Sequence, residues 1–598
     1  MPNSPAKEQA EVVSYDIKIG GQPLQDSFEV LSIDVERSIN RIATAKLAFI
    51  LQLGTGENLT FEQTESSTFE PGAEVEISVG SVDVKSLIFK GIIVNLSVRN
   101  HGGGSNEWIV MCSDKAVKMS LGRQSKSFLN MKDSAVISSI VGDYGLSATV
   151  DSTDVTHKQL VQYQSNDWDF IMERAEANGL WVYTNDGDLL IKKPLSQGSP
   201  ELLLDFENDV LSFDFGIDAR FQNSSYTCES WDSKAQAAAE GKSAEPDLSE
   251  PGNLTGKSLG TKMHPTPEFH RTAAQLDKDE LKSWADALLL KSRLSRMCGT
   301  VTFFGNTNVH LNKMVELSGF GARFNGQPVV TSIHHEVRAG FWQTTVGFGL
   351  PPYWYHEQRT VSASPAGGLL PSVQGLLAGV VLKISDDPDG LYRIKVDAPL
   401  LLGGNDGIWT RLIQFYATSG KGSFFLPEVG DEVILGFLNG DPRYPVIIGS
   451  VYSEKNKPKY TPDAENKIKA IVTKNELMIE FNDTDKVLTI STPAGNEFTL
   501  SDKDKSIKLK DQSGNVVEMK SAGISLSSIQ DITLDAKGKI SMSAVQDISL
   551  SSTGGNVSLK GLNIEAQAQI SATVKGTASA ELSASGNTMV KGAMVMIN

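Results

Sequence analysis

The chain has 598 residues, 40% of them hydrophobic and 7% aromatic, which is enough for several packed domains and too apolar for a disordered chain. Its formal net charge of −17 has the wrong sign for a duplex-binding protein. The three cysteines, Cys112, Cys228 and Cys298, lack CxxC spacing, which excludes a paired disulfide framework and fits a reducing compartment. No apolar run approaches the roughly 20 residues of a membrane helix. The polar start Met1-Pro2-Asn3-Ser4 has no signal-peptide core. Assembly in the cytoplasm is therefore expected, with any exit by a route other than the general secretory pathway.

In chain order, the first elements read as strands. Tyr15-Asp16-Ile17-Lys18-Ile19 alternates and then meets Gly20-Gly21, a hairpin signal. Val30 to Val35, Ala43 to Leu51, and the turn-then-strand Phe69-Glu70-Pro71-Gly72-Ala73-Glu74-Val75 follow. Leu87 to Val94 is a longer apolar strand in which Gly91 is expected to mark a bulge. His101-Gly102-Gly103-Gly104 reads as a loop tip, since no helix follows to make a phosphate cradle.

Two helices interrupt this pattern. Asn166 is placed to cap Asp167 to Asn178, with Trp168, Ile171, Met172 and Ala175 on one face and Gly179 at the end. The second runs from about Lys278 to Arg296, with Leu281, Trp284, Ala285 and Leu288 on its apolar face. Between them the polar stretch Ser233 to Phe269 is expected as a surface excursion, in part disordered.

A small-residue linker near Val361 to Gly368 marks a boundary. Beyond it lie five strand candidates: Ala378–Ser385, Tyr392–Val396, Ile408–Thr410, Glu432–Phe437 and Val446–Val451. Five short strands in so few residues fit an OB-type barrel. Asp386-Asp387-Pro388-Asp389-Gly390 joins the first two as a turn; it lacks the terminal Glu of a calcium loop.

The last stretch is periodic. The pairs Ile524 and Leu526, Ile532 and Leu534, Ile540 and Met542, and Ile548 and Leu550 recur every eight residues. A fifth pair, Val557 and Leu559, arrives one residue late after Gly554-Gly555. In a strand the members of each pair share a face. Two apolar side chains per octad cannot make a core within one chain, so the thread must be buried against something else. Either one chain coils into a monomeric solenoid, or three chains wrap into a triangular prism. The thin core suits the narrower, three-chain prism, with these ten residues facing its axis.

Other clusters carry less. His334 and His335 are adjacent, so a strand points them to opposite faces. His264 and His270 lie too far apart in a polar segment to read as a metal site. The Lys/Asp pairs from Asp502 to Asp511 read as a solvated strand face. No catalytic triad, metal ligand set or cofactor motif is expected.

The whole chain, in order, resembles the VgrG-type spikes of type VI secretion and the related hub-and-needle spikes of contractile phage tails. The hub part carries Phe69-Glu70-Pro71-Gly72-Ala73-Glu74-Val75, Phe89-Lys90-Gly91 and Gln162-Tyr163-Gln164-Ser165-Asn166-Asp167-Trp168-Asp169-Phe170. The most specific block is Leu426-Pro427-Glu428-Val429-Gly430-Asp431-Glu432-Val433, with Gly440-Asp441-Pro442 and Pro445-Val446-Ile447-Ile448-Gly449. Its signature residues are Pro427, Gly430, Asp431, Val433, Gly440, Asp441, Pro445 and Gly449.

The resemblance implies a mainly β homotrimer in three parts. These are a hub with packing helices over 1–365, an OB-fold needle base over 366–455, and an intertwined octad β-helix over 456–598. It implies a pseudo-sixfold hub on a hexameric inner tube, contacts with baseplate proteins and cargo effectors, and no nucleic acid. A PAAR-type cap is expected on the tip Met594, Val595, Met596, Ile597 and Asn598. The segment Ser453 to Ala470 is too short for an enzyme between barrel and prism, and the chain ends at Asn598 within the repeat pattern, so a non-enzymatic spike is expected. The last histidine is His356, so the tip has no His-x-His metal site. A trimeric adhesin or tail fibre, or a β-solenoid carbohydrate-active enzyme, are the alternatives. The repeats lack the aromatic residues such an enzyme cleft needs.

Overall fold

The computed structural model describes residues 3–7, 12–51, 61–100, 106–403 and 406–597. The expectations for Met1-Pro2, for His101 to Gly104 and for Asn598 lie outside the described residues. The chain divides into two compact units, Met1–Val451 and Tyr452–Asn598.

In the first unit an antiparallel sheet of eleven strands, counted among the described residues, draws seven from residues 14–113 and four from residues 210–348. The two sets join where Val30–Ser38 pairs with Val330–Arg338. Alternation puts Ile33, Val35, Leu47, Phe49, Val75, Ile77 and Trp108 into one core. Phe69 of the early turn motif packs there against Trp108, with ring centroids 4.5 Å apart. Gly91 sits in register opposite Val75, and the irregularities fall instead at Ile77/Ser78 and Ile93/Asn95. The expected bulge at Gly91 is therefore corrected. A Cβ there would stand 2.3 Å from the Ser113 carbonyl oxygen, so close strand approach is what demands glycine.

Four helices of eight residues or more pack on this scaffold among the described residues: α1 (Asp133–Asp143), α2 (Asp167–Ala177), α3 (Gly256–Met263) and α4 (Lys278–Leu294). The two anticipated helices are α2 and α4. The Asn166 side chain accepts from the Asp169 amide at 2.7 Å, and Gly179 follows with φ +66°. Gln162, fully buried, donates to the Asp167 carboxylate at 2.7 Å and so ties the preceding strand to the start of α2.

Residues 233–269, expected as a partly disordered excursion, are ordered. Ala237–Lys242 and Glu268–Thr272 flank Tyr226–Asp232 in a three-stranded sheet, and α3 lies between them in sequence. The segment is polar because it clamps two buried arginines. Arg296 donates to the carbonyls of Leu254 (2.6 Å) and Pro251 (2.8 Å). Arg293 pairs with both oxygens of Glu245, at 2.5 and 3.0 Å. Buried guanidinium groups need this many acceptors.

Leu377–Lys383, Ile394–Asp397, Ile408–Leu412, Pro445–Ser450 and Glu432–Phe437 close into a five-stranded barrel. The turn between the first two forms as read. Asp387 accepts from the amides of Asp389, Leu391 and Arg393 and pairs with the Arg393 guanidinium. That pairing holds the Asp387 carboxyl far below the usual carboxylate range.

The second unit begins with an antiparallel meander of seven five-residue strands from Ile468–Val472 to Gly523–Ser527. The sequence reading treated 456–598 as one repeat region. The structure divides it into this meander and the octads after it.

Candidate functional site

The octad segment is the first candidate. Ile524 and Leu526 belong to the last meander strand, where they face Met519 and Val517. From residue 528 onward the described residues form no ladder within the chain. The backbone bends at 529–530, 537–538 and 545–546, then at 553–555, 562, 569–570, 577–578, 585–586 and 593–594. The extra residue falls at the Gly554-Gly555 pair. The period thus outlasts the Ile-x-Leu signature. At the same offset from the bend, the later octads carry Ala572 and Val574, Ala580 and Leu582, and Thr588 and Val590, so the first slot shrinks while the second stays apolar.

Ten residues were expected to form a buried core along an axis, and the single chain does not bury them. Ile524, Leu526, Ile532, Leu534, Ile540, Met542, Ile548, Leu550, Val557 and Leu559 are all between 51% and 75% exposed. The core expected of them is one shared by three chains, which a single chain does not test. The physical reason for their exposure is the spacing: each pair, such as Ile540 and Met542 or Ile548 and Leu550, is followed by polar residues and a bend, so its own chain offers no facing apolar layer. Among the described residues no hydrophobic side chain of 452–597 is buried, and Ser501 is the one buried residue. A groove of about 680 Å³ runs beside the end of the meander and is lined by Phe498, Leu509, Val517, Leu526, Ile532 and Leu534. A chain with regular backbone and no interior is half of a packing arrangement. Met594, Val595, Met596 and Ile597, the expected tip residues, are likewise exposed.

The barrel is the second candidate, and its signature residues fall where the backbone is constrained. Gly430 (φ +95°) turns the chain into the strand Glu432–Phe437, behind Pro427. Its amide donates to Val381 and the Asp431 carbonyl accepts from Val381, both at 2.9 Å, while the Asp431 carboxylate accepts from the Glu428 amide at 2.8 Å. Val433 is buried in the barrel core, and Pro445 opens the pairing strand. Gly440 (φ +69°) accepts from the Val373 amide at 2.8 Å. Asp441 accepts from the Arg443 amide and guanidinium, at 2.9 and 2.7 Å, which holds its carboxyl below the usual range. Gly449 faces Ile434 at the register shift between Ile434 and Leu435. These residues build the barrel's turns; they converge on no reactive centre.

Sequence reading missed a further surface of the barrel. Phe415, Tyr416, Phe424 and Phe425 flank the small hairpin Ala417–Thr418/Lys421–Gly422 and are all exposed, Phe415 completely. The signal was there as two aromatic doublets in a polar loop. The histidines behave as the alternation requires: His335 is fully buried and His334 is 42% exposed. His264 bonds the Arg220 carbonyl and His270 bonds Glu268, so the two have separate partners. Cys112 and Cys228 are buried and unpaired, with thiols pushed up to about 12 by loss of water.

Comparison with known proteins follows this division. The family described as the Alg8 N-terminal domain matches residues 9–339, more than half of the chain. The type VI secretion system/phage-baseplate injector OB domain matches residues 377–452, the barrel. The type VI secretion system spike protein VgrG1b of Pseudomonas aeruginosa is 24% identical over 366 residues, covering 56% of this chain and 47% of the relative. VgrG3 of Vibrio cholerae serotype O1 is 40% identical over 84 residues, 13% of this chain and 8% of the relative. The chain thus spans less than half the length of these curated relatives. Among solved structures, the 43 kDa tail protein of prophage MuSo2 from Shewanella oneidensis aligns at 12% identity and a TM-score of 0.41, covering 56% of this chain and 96% of that one. An Escherichia coli type VI secretion component aligns at 14% identity and a TM-score of 0.37, covering 73% and 99%. At scores this low neither structural likeness bears on fold or function. By the match over residues 9–339 the chain belongs to the Alg8 N-terminal domain family, and with the injector OB domain that follows it and the relatives above it is similar to VgrG-type spike proteins.

Proposed function

We propose that three copies of this chain form the central spike of a contractile injection system. The observation that carries this reading is that no apolar side chain of the second unit is buried among the described residues, together with an eight-residue period that resumes after the irregular bends at 553–555 and 562. Three such chains, wrapped about one axis, would bury the Ile-x-Leu faces and supply the strand ladder that the described residues after 528 do not form within one chain. A monomeric solenoid would instead bury those faces inside one chain, and they are exposed here.

In this reading the first unit adapts a hexameric inner tube to the threefold spike and meets the baseplate. The exposed end at Met594 to Ile597 carries a PAAR-type cap, and contraction drives the assembly through the target envelope. The chain acts mechanically, without catalysis, cofactor or nucleic acid, and is assembled in the cytoplasm before it is exported. VgrG1b and VgrG3 are named spike proteins, and that supports the mechanical role. Light scattering on the purified full-length chain tests the proposal. A mass near three chains is expected, and a stable monomer would overturn it.

A further inference from the structure

Apart from the octad segment, the first unit holds a cavity of about 550 Å³ lined by α2, α4, the strand Glu268–Thr272 and the turn at 354–357. Its floor is saturated. Asp133, 1% exposed, takes a two-pronged contact from Arg174 at 2.6 and 2.9 Å and further bonds from His157 and Asn178, both at 2.9 Å. The one guanidinium in the lining is therefore already neutralised.

The walls differ from the floor. Trp284 and Trp354 present partly buried indoles. Lys291, paired with Glu176, already lies 5.6 Å from the centroid of Trp354, so this indole takes a cation on one face. His270 packs edge-on to Trp284 and is bound to Glu268. The carboxylates are less well matched. Glu280 reaches Arg174 and His157 only at 3.8 and 3.9 Å, beyond hydrogen-bond range. Glu173 makes no hydrogen bond or ion pair among the described residues. Burial lifts its carboxyl above the usual range, with nearby His356 opposing. Such a carboxylate gains most from a cation placed beside it.

We propose that this cavity binds an alkyl guanidinium or alkylammonium group, its charge between Glu173 and Glu280 and its stem against Trp284 and Trp354. The volume is in the range that encloses small ligands. The group is either that of a free diamine-type molecule or an arginine or lysine side chain of a partner segment. Arm one titrates full-length protein with agmatine, and arm two with acetyl-Gly-Arg-Gly-amide. Both are followed by calorimetry and tryptophan fluorescence at pH 8, where unperturbed imidazoles are neutral.

Saturable binding is expected in at least one arm, weakened by salt and weakened about tenfold by Glu173→Gln. Tighter agmatine binding assigns the site to a free cation; tighter peptide binding assigns it to a partner's side chain. Glu280→Gln is the second variant, and circular dichroism confirms that both variants fold. No saturable binding of either probe, or binding that both variants leave unchanged, overturns the proposal.

Discussion

His335 faces Val35 across the single antiparallel joint that unites the two parts of the eleven-stranded sheet, and it is fully buried there. Its Nδ1 lies 3.0 Å from the Thr344 hydroxyl, while Nε2 has no partner. Loss of water, with the nearby charge of Arg37, drives its pKa well below the ordinary histidine value. The folded chain therefore keeps this imidazole neutral where the unfolded chain takes a proton. The unfolded state binds more protons below about pH 6.5, so this residue makes the first unit less stable as pH falls below that value, by up to about 1.4 kcal/mol per pH unit. His334, held above its ordinary value by Asp34, contributes with the opposite sign but is half exposed. Melting curves from pH 8 to pH 5 should fall more steeply for the natural chain than for His335→Gln. Parallel curves would show that His335 does not set the slope.

Gly305 offers a test of close packing. Its amide donates to the Trp342 carbonyl at 2.9 Å, and a Cβ would sit 1.9 Å from the indole. Gly305→Ala must push Trp342 out of its place or part the strands, at a cost of about 1–3 kcal/mol. Gly142, inside α1, has nothing within 4 Å of its Cβ position. Gly142→Ala should stabilise by about 0.5–1 kcal/mol through helix propensity. Urea unfolding should move the first unit's transition in opposite directions for the two variants, and a shared sign would contradict this account.

Periodicity and turn chemistry made much of this fold legible. The cap at Asn166, the Asp387 turn and the five barrel strands are local signals, and they formed within a few residues of where the sequence placed them. Two features were not legible, each for its own reason: polar residues with distant partners in one, charge that masks alternation in the other. Glu245 and Glu250 look solvated until Arg293 and Arg296 are folded against them. The meander strands, such as Ser506–Lys510, alternate lysine with apolar residues without an octad period, and the charge dominates the reading. The cavity lining comes from five separated stretches of chain, so no spacing could reveal it.

The axial assignment predicts a sharp effect of charge. Ile532 and Ile548 are eight-residue repeats of one position, 51% and 54% exposed in the single chain. Burial of each would contribute about 1.5–3 kcal/mol per chain. Asp at either position would place three like charges together near one axis, where desolvation makes their repulsion large. Ile532→Asp and Ile548→Asp should give monomers, or trimers that dissociate with mild heating, by light scattering. Lys503→Ala, on an exposed ion pair with Asp485, should leave the trimer unchanged. Normal assembly of both Asp variants would place Ile532 and Ile548 off the axis.

Cap binding should map to the end of the repeats. The bends at 577–578, 585–586 and 593–594 show that the octad geometry persists beyond Ile570, although its first slot has shrunk to Ala at 572 and 580 and to Thr at 588. These later octads bury less per turn, so they add little to assembly, while the octads up to Leu559 carry paired Ile, Leu, Met and Val side chains. A chain ending at Ile570 should therefore keep its trimer mass and lose at most a few degrees of melting temperature. It should no longer retain a PAAR-type partner in co-purification, because Met594 to Ile597 are gone. If it still bound that partner, the cap would sit elsewhere; if it fell to monomers, the shrunken octads would hold the assembly together and the division of labour along the repeat would be wrong.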